Sequence, residues 1–186
     1  EEGYPGNLVL SVTYGWSEDN ELSILYEAST DADTLFNVTN HGYFNLNGEG
    51  SGDILSHELF IDADEITELD DTQAPTGTIL SVEGTPFDFR TMHTIGKFIH
   101  SDYEQFKKFG TYDHNFIING TGLREAAVLQ SKDSGIRMTC FTDQPGVQLY
   151  VANQPQDLLG KAGKSYDAFT SVCLETQHFP DAINHD

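Results

Sequence analysis

Positive charge is scarce in this sequence: nine Lys and Arg stand against 30 Asp and Glu, for a net charge of −21. So acidic a chain repels nucleic-acid phosphates and anionic membrane surfaces, and it suits a neutral ligand. Cysteine is scarcer still. Cys140 and Cys173 are the only two, each in an apolar strand-like run, which reads as buried free thiols rather than a disulfide framework. No apolar run is long enough to cross a bilayer, and Glu1-Glu2-Gly3-Tyr4-Pro5 has no signal-peptide character. The default expectation is a soluble, cytoplasmic protein with no nucleic-acid or membrane partner; oligomeric state stays open. Helical periodicity is nearly missing, with Ile95 to Phe106 the one plausible stretch. No fixed-period repeat and no linker divides the chain, so 1–186 reads as a single domain.

Two further absences narrow the chemistry. The glycine-rich run 48–53 lacks the G-x-G-x-x-G spacing and precedes no helical pattern, so it reads as a flexible loop and not a phosphate cradle. Asp62-Ala63-Asp64-Glu65 lacks the turn glycine and ligand spacing of a calcium loop and reads as a solvated acidic edge. No metal-ligand cluster at proper spacing is visible, so neither a metal nor a cofactor is expected.

What is present is alternation of period two. Leu8 to Tyr14 and Leu22 to Ala28 alternate on either side of Ser17-Glu18-Asp19-Asn20, a hairpin signal. Leu35 to His41, His57 to Asp62, Thr78 to Val82, Asn115 to Ile118, Ala126 to Ser131, Ile136 to Phe141, Val147 to Val151 and Ser171 to Thr176 read as further short strands. Lys132-Asp133-Ser134-Gly135 joins two of them as a tight hairpin. Many short strands punctuated by Gly, Asp and Asn imply an all-β antiparallel sandwich.

Polar residues with chemical potential sit on this pattern. In Thr39-Asn40-His41-Gly42-Tyr43-Phe44-Asn45-Leu46, His41 falls at the expected end of a strand, and an imidazole titrates near neutral pH. Glu175 shares a strand face with Cys173 and Gln177, opposite Val172, Leu174 and Thr176. Gln148 and Tyr150 stand opposite Val147, Leu149 and Val151, and Asp113 sits at a loop-to-strand entry. Alone, Glu175, Gln148 and Asp113 each read first as an ordinary solvated side chain, and His41 equally as an imidazole hydrogen-bonded into a loop.

Four motifs change that balance. Asn40-His41-Gly42-Tyr43-Phe44-Asn45-Leu46, Tyr112-Asp113-His114-Asn115-Phe116, Gly146-Val147-Gln148-Leu149-Tyr150 and Leu174-Glu175-Thr176-Gln177-His178-Phe179-Pro180-Asp181-Ala182 occur in this order. Together they resemble the aldose 1-epimerase family, the galactose mutarotases, whose pattern runs N-H-x-Y-F-N-L, Y-D-H-N-F, G-V-Q-x-Y and L-E-x-Q-x-x-P-D-A. The match begins partway through the family's pattern and stops short of its C-terminal end. The resemblance implies a large antiparallel supersandwich, incomplete in this chain, and anomer interconversion of free hexoses such as galactose and glucose. It implies Glu175 as base, His41 as acid, Asp113 and Gln148 as sugar-binding residues, and no cofactor. Tyr43 and Phe44 are candidates to pack on the sugar ring. The family also uses a second histidine and an arginine from an earlier region. None of His57, His93, His100, His114, His178 or His185 sits in a matching motif.

Three other readings compete. A non-catalytic carbohydrate-binding β-sandwich needs no acid–base pair. A glycosidase needs two carboxylates, which Asp113 and Glu175 would supply while leaving the His41 motif unexplained. An epimerase of phosphorylated hexoses needs a basic clamp, of which this acidic chain offers little sign.

Overall fold

The computed structural model describes residues 3–154 and 156–185. They fall into two compact units, 1–38 and 39–186. The first holds one antiparallel hairpin, β1 (Leu8–Trp16) and β2 (Leu22–Thr30), with Leu8 opposite Thr30 and Trp16 opposite Leu22. This is the expected hairpin. Asn20 takes the left-handed conformation at φ 60° in its turn, which asparagine tolerates. Leu8, Val9, Leu10, Val12, Trp16, Leu22 and Leu25 are exposed.

The second unit is built on two antiparallel sheets. One holds β3 (Glu58–Ile61), β6 (His93–Thr94), β8 (Arg124–Gln130) and β9 (Arg137–Thr142) in the order β6-β3-β8-β9. The other holds β4 (Ala63–Leu69), β5 (Pro75–Ser81), β7 (Asp113–Ile118), β10 (Gly146–Val151) and β13 (Val172–Gln177) in the order β13-β10-β7-β4-β5. A small ribbon pairs β11 (Gln156–Leu159) with β12 (Ser165–Tyr166). One apolar cluster draws on both large sheets: Leu59, Ile61, Ala127 and Leu129 from one, Ile66, Phe116, Val147, Leu149, Val172 and Leu174 from the other. The all-β sandwich follows from this alternation, since each strand turns every second residue to the shared core.

The structure departs from the sequence pattern in three places. Residues 35–43 form no strand. Asn40 Oδ1 accepts the Gly42 N–H at 3.2 Å, a local turn that competes with a ladder. Only Phe44 bridges onward, pairing with Val172 through two backbone hydrogen bonds of 2.8 and 3.0 Å. The stretch expected to be helical over 95–106 is instead broken in two, a 3-10 turn at Ile95–Phe98 and the helix α1 at Glu104–Phe109. Between them Ser101 Oγ caps the Tyr103 N–H at 3.2 Å, and Gly110 ends α1 in the left-handed conformation at φ 65°. Finally, the acidic edge 62–65 is where the chain changes sheets. Asp62 donates its N–H to Ala126 and accepts from Asn119, both at 2.9 Å, and β4 begins at the next residue. Asp64 and Glu65 are nevertheless exposed, as a solvated edge requires.

Candidate active site

Strands β13, β10 and β7 lie side by side, and their even spacing places polar residues in rows on the face away from the core. Glu175 is the cross-strand partner of Gln148, which is the partner of Asn115. Cys173 is the partner of Tyr150, which is the partner of Asp113. Val147, Leu149 and Val151 of the same central strand are fully buried on the other face. One period-two pattern therefore both seats the sheet on its core and lifts the polar rows to the opposite side.

The rows are tied by hydrogen bonds. Gln148 Nε2 donates to Asp113 Oδ1 at 2.7 Å. Gln177 Nε2 donates to Gln148 Oε1 and to Asn115 Oδ1, each at 3.3 Å. Gly146 makes room for this, because a Cβ there would strike the Asn115 side-chain oxygen. Gln148 thus has its amide orientation set from one side and sets Asp113 on the other.

His41 arrives from the irregular segment above β13. The Phe44–Val172 bridge pins that segment, and Asn45 Nδ2 adds bonds to the Thr170 and Gly52 carbonyls at 3.0 Å each. Leu46 N–H donates to Nε2 of the buried His57 at 3.0 Å. Burial pushes the His57 pKa down, which keeps the ring neutral and able to accept. So anchored, His41 Nε2 meets Glu175 Oε1 at 3.2 Å. The imidazole stacks on Tyr43 with ring centroids 4.8 Å apart and meets Tyr150 edge-on at 5.9 Å.

These side chains enclose a pocket of about 350 Å³ lined by His41, Tyr43, Asp113, Gln148, Tyr150, Glu175, Gln177 and Pro180. The size is in the range of small-molecule sites. Burial raises the Glu175 carboxyl above the usual carboxylate range. His41 beside it draws the value down, and Asp113 adds to the rise. Burial raises Asp113 too, against the hydrogen bond from Gln148 and the nearby His41. Tyr43 and Tyr150 are both raised, chiefly by burial, and stay neutral hydroxyls. An imidazole, two carboxyls, two amides and two phenols around one pocket can exchange protons with, and hold the hydroxyls of, a polar neutral ligand.

All four sequence-predicted site residues, His41, Asp113, Gln148 and Glu175, meet here. The structure adds Tyr150, Gln177 and Pro180 to the lining and keeps Tyr43 in it. Phe44 packs instead against the core. The signal for Tyr150 and Gln177 was present, since each shares a strand face with a predicted residue. His57 had none, because its contact is with a backbone N–H eleven residues earlier. Among the described residues, no Lys, Arg or second His lines the pocket. Nor is any helix there long and apolar enough to cross a membrane.

Comparison with known proteins follows the same lines. A family model described as aldose 1-epimerase matches residues 1–186. The chain is 42% identical to galactose mutarotase of Rattus norvegicus over 99% of its own length and 53% of the relative's. It is 37% identical to aldose 1-epimerase of Escherichia coli K12, over 100% and 54%. Among solved structures, a GalM/aldose epimerase homologue from C. elegans superimposes with a TM-score of 0.85 at 34% identity, covering 97% of this chain and 54% of that one. A galactose 1-epimerase from Lactobacillus acidophilus gives 0.82 at 33% identity, covering 95% and 50%. The chain spans about half the length of the curated relatives it matches.

Proposed function

Because the chain belongs to the aldose 1-epimerase family, we propose that the protein interconverts the α and β anomers of a free aldohexose, galactose or glucose, by opening and closing the sugar ring. The observation that carries this reading is the 3.2 Å contact between His41 Nε2 and Glu175 Oε1 at the edge of a polar pocket. Ring opening needs two proton transfers. Glu175, as carboxylate, takes the proton of the C1 hydroxyl. His41, as imidazolium, gives a proton to the ring oxygen, and the bond from that oxygen to C1 breaks to leave an aldehyde. Rotation about C1–C2 and the reverse transfers close the ring on the other face, with no net change in protons. Both oxygens are bonded to C1, so an acid and a base as close together as His41 and Glu175 can reach them in one bound sugar.

Asp113 and Gln148 bind sugar hydroxyls in this reading, and the hydrogen bond between them orders both. Tyr43 and Tyr150 offer ring faces and neutral hydroxyls. A phosphorylated hexose is the weaker fit, since no Lys or Arg lines the pocket among the described residues. A pure binding module would leave the buried Glu175 carboxyl beside His41 without a use. Free Cys140 and Cys173 agree with a cytoplasmic location, and we take the 186 residues as one piece of the family's domain. The test is polarimetry of freshly dissolved α-D-galactose with the protein at its full natural length, in EDTA. Rotation that relaxes faster than the buffer blank supports the reading; relaxation at the blank rate defeats it.

A further inference from the structure

No motif in the sequence groups His41, Cys173 and Glu175, yet the fold brings a ring nitrogen, a thiol sulfur and a carboxylate oxygen within 4.8 Å of one another. Cys173 and Glu175 leave the same face of β13 two residues apart, so the sheet fixes their spacing. His41 comes from outside the sheet, and its side chain is 47% exposed, which leaves it free to turn. Around a tetrahedral zinc ion, with bonds of about 2.0–2.3 Å, neighbouring ligand atoms stand about 3.3–3.7 Å apart. The His41–Glu175 contact is already 3.2 Å. The two sides that involve Cys173 are no longer than 4.8 Å, so drawing the three atoms to tetrahedral spacing takes side-chain movements of order 1 Å. One thiolate, one carboxylate and one neutral imidazole together cancel a divalent charge. Two of the three ligands, His41 and Glu175, line the pocket.

We propose that His41, Cys173 and Glu175 form a binding site for a thiophilic divalent cation, Zn²⁺ or Cd²⁺, which occupies the acid–base pair and excludes the sugar. Hard cations such as Mg²⁺ prefer all-oxygen sites and are not held. On binding, the sulfur–metal bond forms as the thiol proton leaves to solvent. Without the ion the thiol stays protonated, because burial pushes Cys173 up to about 12. The inhibition rests on the catalytic reading above; the binding does not.

The experiment uses the protein at its full natural length, stripped with EDTA and dialysed. Cd²⁺ is titrated in while the ultraviolet thiolate-to-cadmium band is followed, and mutarotation is measured in parallel with Zn²⁺ and with Mg²⁺. A one-to-one cadmium band is expected in the wild type and in Cys140→Ser, and none in Cys173→Ser or Cys173→Ala. Zn²⁺ is expected to inhibit, Mg²⁺ is not, and Cys173→Ser should raise the inhibitory Zn²⁺ concentration by at least about tenfold. Near-ultraviolet circular dichroism confirms that the variants are folded, and the paired serine and alanine replacements guard against one of them failing to fold. No band in the wild type, a band that persists without Cys173, or equal zinc inhibition with and without Cys173 overturns the proposal. A wild type that shows the band but no mutarotation defeats the catalytic reading and leaves the metal site standing.

Discussion

His41 and Glu175 touch at 3.2 Å, although one sits on an irregular segment and the other on the edge strand of a five-stranded sheet. The contact depends on the Phe44–Val172 bridge, which fastens the irregular segment to the strand that carries Glu175. The same strand therefore supplies the carboxylate and the anchor for its partner.

Glu175→Gln should lower kcat by about 10²–10⁴-fold, since the amide keeps the shape but cannot take a proton. The melting temperature should hold or rise, because a neutral amide replaces a carboxyl whose ionisation burial opposes. Polarimetry and a thermal melt check both. A near-normal kcat would remove Glu175 from the role of base.

His41→Asn should lower kcat more than it raises KM, because proton donation acts in the transition state. Initial rates across a range of galactose concentrations separate the two. A rise in KM at constant kcat would make His41 a binding residue.

The acid side of the pH–rate profile should fall at a pH above the ordinary carboxylate value of 4.5. The base works only when ionised. A raised Glu175 pKa means that protons return to it, and activity is lost, at a higher pH than for a solvated glutamate as the pH is lowered. Rates in metal-free buffer between pH 4 and 8 would show it; a midpoint at or below 4.5 contradicts it.

Asp113→Asn should weaken sugar binding by about tenfold or more, the cost of one charge-assisted hydrogen bond, while stabilising the fold at neutral pH. Burial raises the Asp113 pKa, so its favourable contribution is full below the unfolded-state value and lost as pH rises through the raised folded-state value. At neutral pH the ionised carboxyl costs stability that asparagine does not. Calorimetry at pH 7 and pH 4 should find the stabilisation larger at pH 7, and the reverse order would sink the argument.

His57→Leu should reduce activity without touching the pocket, because Leu46 N–H then loses its acceptor and the His41 segment its tether. An unsatisfied buried N–H costs about 1–3 kcal/mol. The mark of a positioning role is a drop in kcat together with faster amide exchange across residues 40–47, both relieved by His57→Gln, whose side-chain oxygen can accept. Unchanged exchange and kcat would leave His57 a core residue only.

Much of this was legible from residues alone. The β8–β9 hairpin announced itself by alternation around Lys132-Asp133-Ser134-Gly135, and the core and polar faces of β10 and β13 came directly from period two, since neighbouring side chains on a strand must point opposite ways. That placed Gln148 and Glu175 on one side of a sheet before any partner was known. Which strands are neighbours was not local information. The pairing β13-β10-β7 joins residues 21 to 37 positions apart, from Val151↔Val172 to Tyr150↔Asp113, and only burial of a common core selects it. The segment around His41 alternates like a strand yet forms none, because its alternation has no ladder partner among the described residues and Asn40 offers the backbone a turn instead. The meeting of His41 with Glu175 and Cys173, and the hold of His57 on Leu46, belong wholly to the tertiary structure. Sequence determined which side chains face away from the core; packing decided which of them touch.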